Sequence, residues 1–517
     1  MCTSSLRGVR WRYRAATVAA LLGIAGGTSF AVQPTLDNPD PRAVSGVAAA
    51  RRFFDLASSR RVDICQIGDS NSRSQVISGH EDGMGRAFSG RFGMYATRVN
   101  PVMSIDNWGA FILAESSLAG GPFAVVTDQN CPPAAGYAFQ PQGMPKALAY
   151  LAPGLSTPFG YNLGHALGQD NPLGVNAHLR WHLSEFVLQA GQGSMGMEAR
   201  ALWPGSAFDT YAFRRIEAGD RQAAGIADRA MDVPAGIRSP HGILFCVSSL
   251  VRGVAAVGPL ALTYSRVERP DRSTGIAYSP LWQQGGRSAR HVLEDVANHG
   301  GMPVQMREYL RQLVRLQNDP PVLLVHIMHG GNDILDSAPS RGPIGGLPSS
   351  TPAGFRDNID GIMAFVRESW TSAGHDPQRV FFLLGPYHPR GVQEDVQAAF
   401  AQVWRDIAAA DPQTFSVDGL ALTTATELQS RSFFASPSDP FHLSVAGFQA
   451  FGRATISAIS RAVCPADVNE NGERGVEDIF VFLERWFGRE PGADFNHDGG
   501  IAIDDIFTLL GAWFQGC

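Results

Sequence analysis

The chain runs to 517 residues, 44% hydrophobic and 17% charged, a globular composition long enough for about three domains at roughly 150 residues each. Its net charge of −6 excludes the basic footprint that a nucleic-acid-binding surface carries. Lys146 is the only lysine, so almost all positive charge is arginine.

At the N-terminus, Arg7, Arg10, Arg12 and Arg14 precede the apolar run AATVAALLGIAGG, and Ser29 and Ala31 supply small residues for cleavage. This is the pattern of a secretory signal peptide over residues 1–31, too short and wrongly flanked to span a bilayer. No later segment approaches about 18 unbroken apolar residues. The mature chain is therefore expected outside the cytoplasm, whether extracellular, periplasmic or at the cell surface, and not to span a membrane. Past the signal come Cys65, Cys131, Cys246, Cys464 and Cys517, an odd set that leaves at least one thiol outside intrachain pairs. Cys65 sits in an apolar run and reads as a buried, inert thiol.

That run, VDICQIGDSNSRSQ (62–75), ends on Gly68, Asp69 and Ser70 before polar residues take over. HEDGMGRAFSGRFGMYA (80–96) follows and reads as a helix. A strand, a tight turn and a helix place Ser70 near a helix N-terminus, where free N–H groups favour developing negative charge. The next 160 residues differ in texture. LRWHLSEFVL (179–188) and PLALTYSRVE (259–268) alternate apolar and polar residues with a period of two, and Gly- and Pro-rich turns separate such runs. Short alternating strands suggest a β-sandwich. Trp181, Trp203 and Tyr211 are either its core or platforms for sugar rings.

Farther on, IAYSPLWQQGGRSARHVLEDVANHG (276–300) reads as strand, glycine turn and helix. VLLVHIMHGGNDILD (322–336) is a buried-type strand running into Gly330, Gly331, Asn332 and Asp333. An asparagine at such a strand end can aim its amide at an oxyanion. SAPSRGPIGGLPSSTP (337–352) is too rich in Gly and Pro for regular structure, and is either a rim beside that asparagine or a solvent loop. In SDPFHLSVAGFQAF (438–451), Asp439 and His442 are three residues apart. Sharing a helical turn, they would face one side, the carboxylate fixing the imidazole tautomer.

The chain ends on an internal repeat of 27 residues, DVNENGERGVED (467–478) and DFNHDGGIAIDD (494–505). Each copy puts side-chain oxygens at loop positions 1, 3, 5 and 12 and glycine at position 6. The ligands would be Asp467, Asn469, Asn471 and Asp478 in one loop, and Asp494, Asn496, Asp498 and Asp505 in the other. A hard cation such as Ca2+ takes six to eight oxygens, and the glycine permits the sharp turn between them. An amphipathic run, IFVFLERWF or IFTLLGAWF, follows each loop.

This module, residues 464–517, resembles a type I dockerin. The resemblance implies two structural calcium sites, a disulfide between Cys464 and Cys517 closing the termini, and a cohesin-type partner. The positions before the last ligand, Val476 and Glu477 or Ile503 and Asp504, depart from the Ser/Thr pair of cellulosomal dockerins.

GDS near the start, G-x-N-D in the middle and D-x-x-H near the end of the preceding region resemble, in order and context, the SGNH or GDSL-type hydrolases. That resemblance implies an α/β fold, with a flavodoxin-like three-layer α/β/α core over 46–110 and 271–463. The interruption at 111–270 would be an inserted β-sandwich-like domain, similar to the carbohydrate-binding-like modules of some polysaccharide-active members. It also implies Ser70 as nucleophile, His442 as general base, Asp439 as its orienter, and Asn332 with the Ser70 backbone N–H as oxyanion donors. The family's oxyanion glycine falls best on Gly286, with Gly285 as the alternative. No cofactor is implied for catalysis. Export and the dockerin-like tail favour a serine esterase, a carbohydrate O-acetylesterase acting on esterified polysaccharide. An O-acyltransferase would use the same residues, and a non-catalytic glycan-binding or docking scaffold would need none of them.

Overall fold

The sheet is built outward from one strand. In the computed structural model, β1 (Arg61–Gly68) is buried almost from end to end and pairs in parallel on both sides. The structure describes residues 35–69, 71, 81–99, 260–283, 288–297, 320–336, 351–391 and 393–517, with shorter stretches between 123 and 247 and between 306 and 313. Residues Gln33–Cys517 form one unit. The expected signal peptide, Ser70 and the 284–287 turn lie outside the described residues.

Five further strands run parallel to β1: β2 (Met94–Val99), β3 (Gly275–Gln283), β4 (Leu323–Met328), β5 (Val380–Leu384) and β6 (Thr414–Val417). Their order across the sheet is β2-β3-β1-β4-β5-β6. Without β2 this is the 2-1-3-4-5 order of a doubly wound sheet, whose connections turn back on themselves between β1 and β4. Burial on both faces explains why LLVHIM and VFFLL are continuous apolar runs rather than alternating ones.

Successive residues of these strands face opposite layers. Ile64, Leu324, Phe381 and Leu383 join one core with Phe53 and Phe54 of α1 (Val47–Ser59), Phe88 of α2 (Arg86–Phe92) and Phe448 and Phe451 of the long C-terminal helix Val445–Val463. Cys65, Ile67, Val325, Phe382 and Leu384 join the other. Its helices are α3 (Ala289–Ala297), α4 (Pro352–Ser372) and α5 (Glu394–Ala410), which contribute Val292, Ile359, Trp370, Phe400 and Trp404. The helix Val445–Val463 is α6. Thr351, whose side chain accepts from the Gly354 N–H at 3.1 Å ahead of Pro352, starts α4 after the Gly- and Pro-rich segment.

The described strands of 111–270 do not stand apart from this core. Leu260–Glu268 pairs antiparallel with β2 and continues the central sheet into Ala147–Tyr150 and Leu179–Val187, giving 12 strands among the described residues. Unpaired, β2 would be an exposed edge, and the antiparallel strand covers it. A second sheet of four strands joins Tyr161–Leu163, Ile243–Val247, Met195–Ala201 and Thr210–Ile216. Trp181 is fully buried and donates to Ser265 Oγ at 2.8 Å, so it is core and not a sugar platform.

At the C-terminus, α7 (Val476–Gly488) and α8 (Ile503–Gln515) close over Val468, Phe482, Ala493 and Leu509. Cys464 and Cys517 are disulfide-bonded, their Cα atoms 4.5 Å apart. The pair is tied to the rest of the chain by the Arg91–Asp467 ion pair at 2.7 Å and by Asn38 Nδ2, which donates to the Asp494 carbonyl at 3.3 Å. No helix among the described residues is long and apolar enough to cross a membrane.

Candidate active site

The carboxyl ends of β1 and β4 lie side by side, Gly68 in register with Met328, and the sheet's connections diverge there. Doubly wound sheets open a crevice at that point. Gly68 leads into Asp69, whose carboxylate Oδ1 accepts the Asn71 N–H at 2.9 Å and so turns the chain around residue 70. Asp69 is fully buried. Burial pushes its carboxyl up to about 6, against the pull of the Asn71 N–H, the Arg390 charge, the Tyr387 hydroxyl and the His442 charge. Cys65, four residues earlier, is buried.

Beyond β4, Gly330 takes a positive φ of 136°, a conformation that favours glycine, and a short helix Gly331–Asp336 begins. Asn332 is 7% exposed at its first turn. Asp333 is fully buried, its carboxylate accepting the Ala289 N–H at 3.2 and 3.3 Å. That bond fastens the start of α3 to the Asn332 turn. The strand and helix expected around Gly285 and Gly286 are therefore present as β3 and α3, and α3 starts beside this turn. The two glycines themselves lie outside the described residues.

Asp439 and His442 are together, but not on a helical turn. Asp439–Leu443 is a strand paired antiparallel with Phe434–Ser436, and α6 begins only after the Ser444 cap. The carboxylate curls back over its own strand: Oδ1 accepts the Phe441 and His442 N–H groups at 3.0 and 3.2 Å, and Oδ2 lies 2.8 Å from His442 Nδ1. This local bonding, typical of aspartate, brings i and i+3 together without a helix. Burial raises the Asp439 carboxyl, yet the His442 hydrogen bond and charge with the two N–H groups outweigh it and hold it below its ordinary value. A carboxylate only accepts, so His442 Nδ1 is the donor in this bond.

The loop after β5, GPYHPRG (385–391), supplies the residues that the sequence motifs did not single out. Tyr387 is buried and its hydroxyl donates to Asp69 Oδ2 at 3.3 Å, while Asn71 Nδ2 bonds the same hydroxyl. Arg390, 4% exposed, donates from Nη1 to the Gly331 carbonyl at 3.0 Å and from Nη2 to Tyr387 Oη at 2.6 Å. Its guanidinium carbon stands 4.5 Å from the Tyr387 ring centre and 5.3 Å from that of Phe441. His388 stacks on Tyr387 at 5.4 Å, and burial with the Arg390 and His442 charges holds it well below the ordinary histidine range. One loop thus touches the turn around residue 70, the turn at Asn332 and the strand bearing His442. Its sequence carries only glycines and prolines as local signals, and those mark a loop without a role.

The two C-terminal loops are folded on their own oxygens. Asp467 accepts from the Asn471 and Gly472 N–H groups, both at 2.9 Å, and Asp494 from Asp498 and Gly499 at 3.1 and 3.0 Å. Asp478 accepts from Asn469 and Gly475, and Asp505 from Phe495, Asn496 and Ala502. Burial and the neighbouring Asp505 charge raise the Asp494 carboxyl. Among the described residues no group of three or more His, Cys, Asp or Glu is placed to hold a metal ion, and asparagine supplies part of each loop's oxygen set.

No protein-family model and no curated protein matches the chain. Among solved structures it is similar to a family two carbohydrate esterase from Clostridium thermocellum in complex with cellohexaose, at 12% identity and a TM-score of 0.23, over 56% of this chain and 90% of that one. It is also similar to a family two carbohydrate esterase from Cellvibrio japonicus, at 10% identity and a TM-score of 0.24, over 60% of this chain and 96% of that one.

Proposed function

We propose that the protein is a serine ester hydrolase of the SGNH type. The observation that carries this reading is the Asp439–His442 pair, its imidazole held in one tautomer within reach of a loop that also holds the Ser70-bearing turn and the Asn332 turn. Ser70 Oγ attacks the ester carbonyl while His442 Nε2 takes its proton, and Asp439 orients the imidazolium. The Ser70 N–H, the Asn332 amide and the Gly286 N–H receive the negative charge on the carbonyl oxygen. His442 then returns the proton to the sugar oxygen as its bond to the acyl carbon breaks. Water next attacks the acyl-enzyme and gives a proton to His442, and that proton returns to Ser70 Oγ as the acid leaves.

Export and the dockerin-like tail favour polysaccharide acetate esters as substrate. In the tail, Asp467, Asn469, Asn471 and Asp478, and Asp494, Asn496, Asp498 and Asp505, would each hold a structural Ca2+. Val476, Phe480 and Phe487 on α7 and Ile503, Phe507 and Phe514 on α8 are exposed at the same 27-residue spacing. Such repeated apolar faces suit a cohesin-type protein partner. The test is acetate release from acetylated xylan and from an aryl acetate, wild type beside Ser70→Ala. Serine-dependent release from both supports the reading. Turnover that survives Ser70→Ala would overturn it, and transfer of acetyl to an added sugar in preference to water would replace hydrolysis by acyl transfer.

A further inference from the structure

Arg390 is a buried cation with a restricted set of partners. It donates to one carbonyl and one hydroxyl, lies against two aromatic rings, and its buried Nε has no hydrogen-bond partner among the described residues. Taking a guanidinium out of water is unfavourable, and a methionine or leucine would fill the same space without that penalty. Packing alone therefore does not account for an arginine here.

Its contacts are with the three segments that carry the proposed chemistry. The Gly331 carbonyl and the Asn332 N–H belong to one rigid peptide plane, so the bond from Nη1 fixes where Asn332 begins. The bond from Nη2 fixes the Tyr387 hydroxyl, and that hydroxyl bonds Asp69 and Asn71, the two residues flanking Ser70. The guanidinium face packs on Phe441, the residue before His442. We infer that Arg390 is a positioning residue that sets nucleophile, oxyanion donor and base against one another through a single rigid fork. This deepens the proposed hydrolase reading and rests on it.

A lysine could keep the charge but not the fork, since an ammonium has no planar pair of donors with fixed separation. Misplacing reacting groups by about 1 Å can cost on the order of 10²-fold in rate, without affecting substrate affinity to the same degree. The experiment compares wild type, Arg390→Lys, Arg390→Met, Tyr387→Phe and Ser70→Ala in the full chain. Readouts are kcat and KM on an aryl acetate, the rate of serine labelling by a fluorophosphonate, and thermal melting. Folded Arg390→Met is expected to lose about 10²-fold in kcat and in labelling rate with KM within about threefold, and Arg390→Lys to recover little of it. Added guanidinium at millimolar concentration is expected to restore part of the labelling rate in Arg390→Met. Tyr387→Phe, which removes one hydroxyl and keeps the ring, is expected to show the same split in weaker form and carries the test if Arg390→Met does not fold. Folded Arg390→Met with wild-type kcat and labelling, or full rescue by lysine, would overturn the inference. Tyr387→Phe with unchanged labelling would do so as well. Activity that persists in Ser70→Ala would instead discard the hydrolase reading beneath it.

Discussion

Adding one methyl group at Gly331 probes the centre of this arrangement. An alanine Cβ there would stand 1.8 Å from Tyr387 Oη, 2.1 Å from its Cζ and 2.4 Å from Arg390 Nη2. The tyrosine would have to retreat by roughly 1.5 Å to reach ordinary contact, and both it and Arg390 are buried. Overpacking of a tight interior costs ~2 kcal/mol. Moving Tyr387 also strains its three hydrogen bonds, to Asp69, Asn71 and Arg390, at ~1 kcal/mol each. Replacing glycine in a helical turn returns ~1 kcal/mol. The net expectation for Gly331→Ala is destabilisation by about 4 kcal/mol, read from urea unfolding, with turnover falling at least as far as in Tyr387→Phe. Gly511 provides the matched control, because a Cβ there meets nothing within 4 Å inside α8. Gly511→Ala should be neutral or stabilise by up to ~1 kcal/mol. A Gly331→Ala protein within about 1 kcal/mol of wild type and fully active would refute the close contact among Gly331, Tyr387 and Arg390.

Asn332→Ala should lower kcat by about 10² to 10³, the usual loss for one oxyanion donor, and unchanged kcat would remove it from that role. Asp69 supplies a pH test. Its folded value near 6 lies above its ordinary 3.8, so the unfolded chain ionises first as pH rises. Stability is therefore lost between about pH 4 and 6, on the order of 3 kcal/mol in full above pH 6. Asp69→Asn should gain that much on wild type between pH 4 and pH 7, and a difference that does not change with pH would contradict the buried, raised carboxyl. Asp439→Ala should impair turnover less than His442→Ala, since orientation is only part of the base's work, and the reverse ranking in kcat would reassign the pair. Cys517→Ser opens a loop with a sequence separation of 53 residues, and the chain-entropy relation gives a loss of about 4 kcal/mol for the C-terminal module, measurable by its melting with and without reductant.

The parts legible in the sequence were those whose signal is local. The nearly continuous apolar run at 322–328 announced a doubly covered strand, because burial on both faces leaves few polar positions. The Asp439–His442 pairing was legible from spacing, though not its geometry. A side chain bonding its own backbone reaches i+3 from a strand as readily as a helical turn does, and helical periodicity does not distinguish the two. The segment 111–270 showed its alternating strands, but its joining to β2 did not show. Which edge a strand covers depends on the edge left open after the parallel strands have closed.

The sequence by itself determined where the strands end and which polar residues stand at those ends, since a strand's end and its turn are encoded within a few residues. Only the tertiary structure decided what holds those ends together. Tyr387 reaches Asp69 across 318 positions of chain and Asn71 across 316, and Arg390 reaches Gly331 across 59. No periodicity links residues so far apart. They meet because the doubly wound order carries the loop after β5 back over the carboxyl ends of β1 and β4, where a buried fork of donors finds its acceptors.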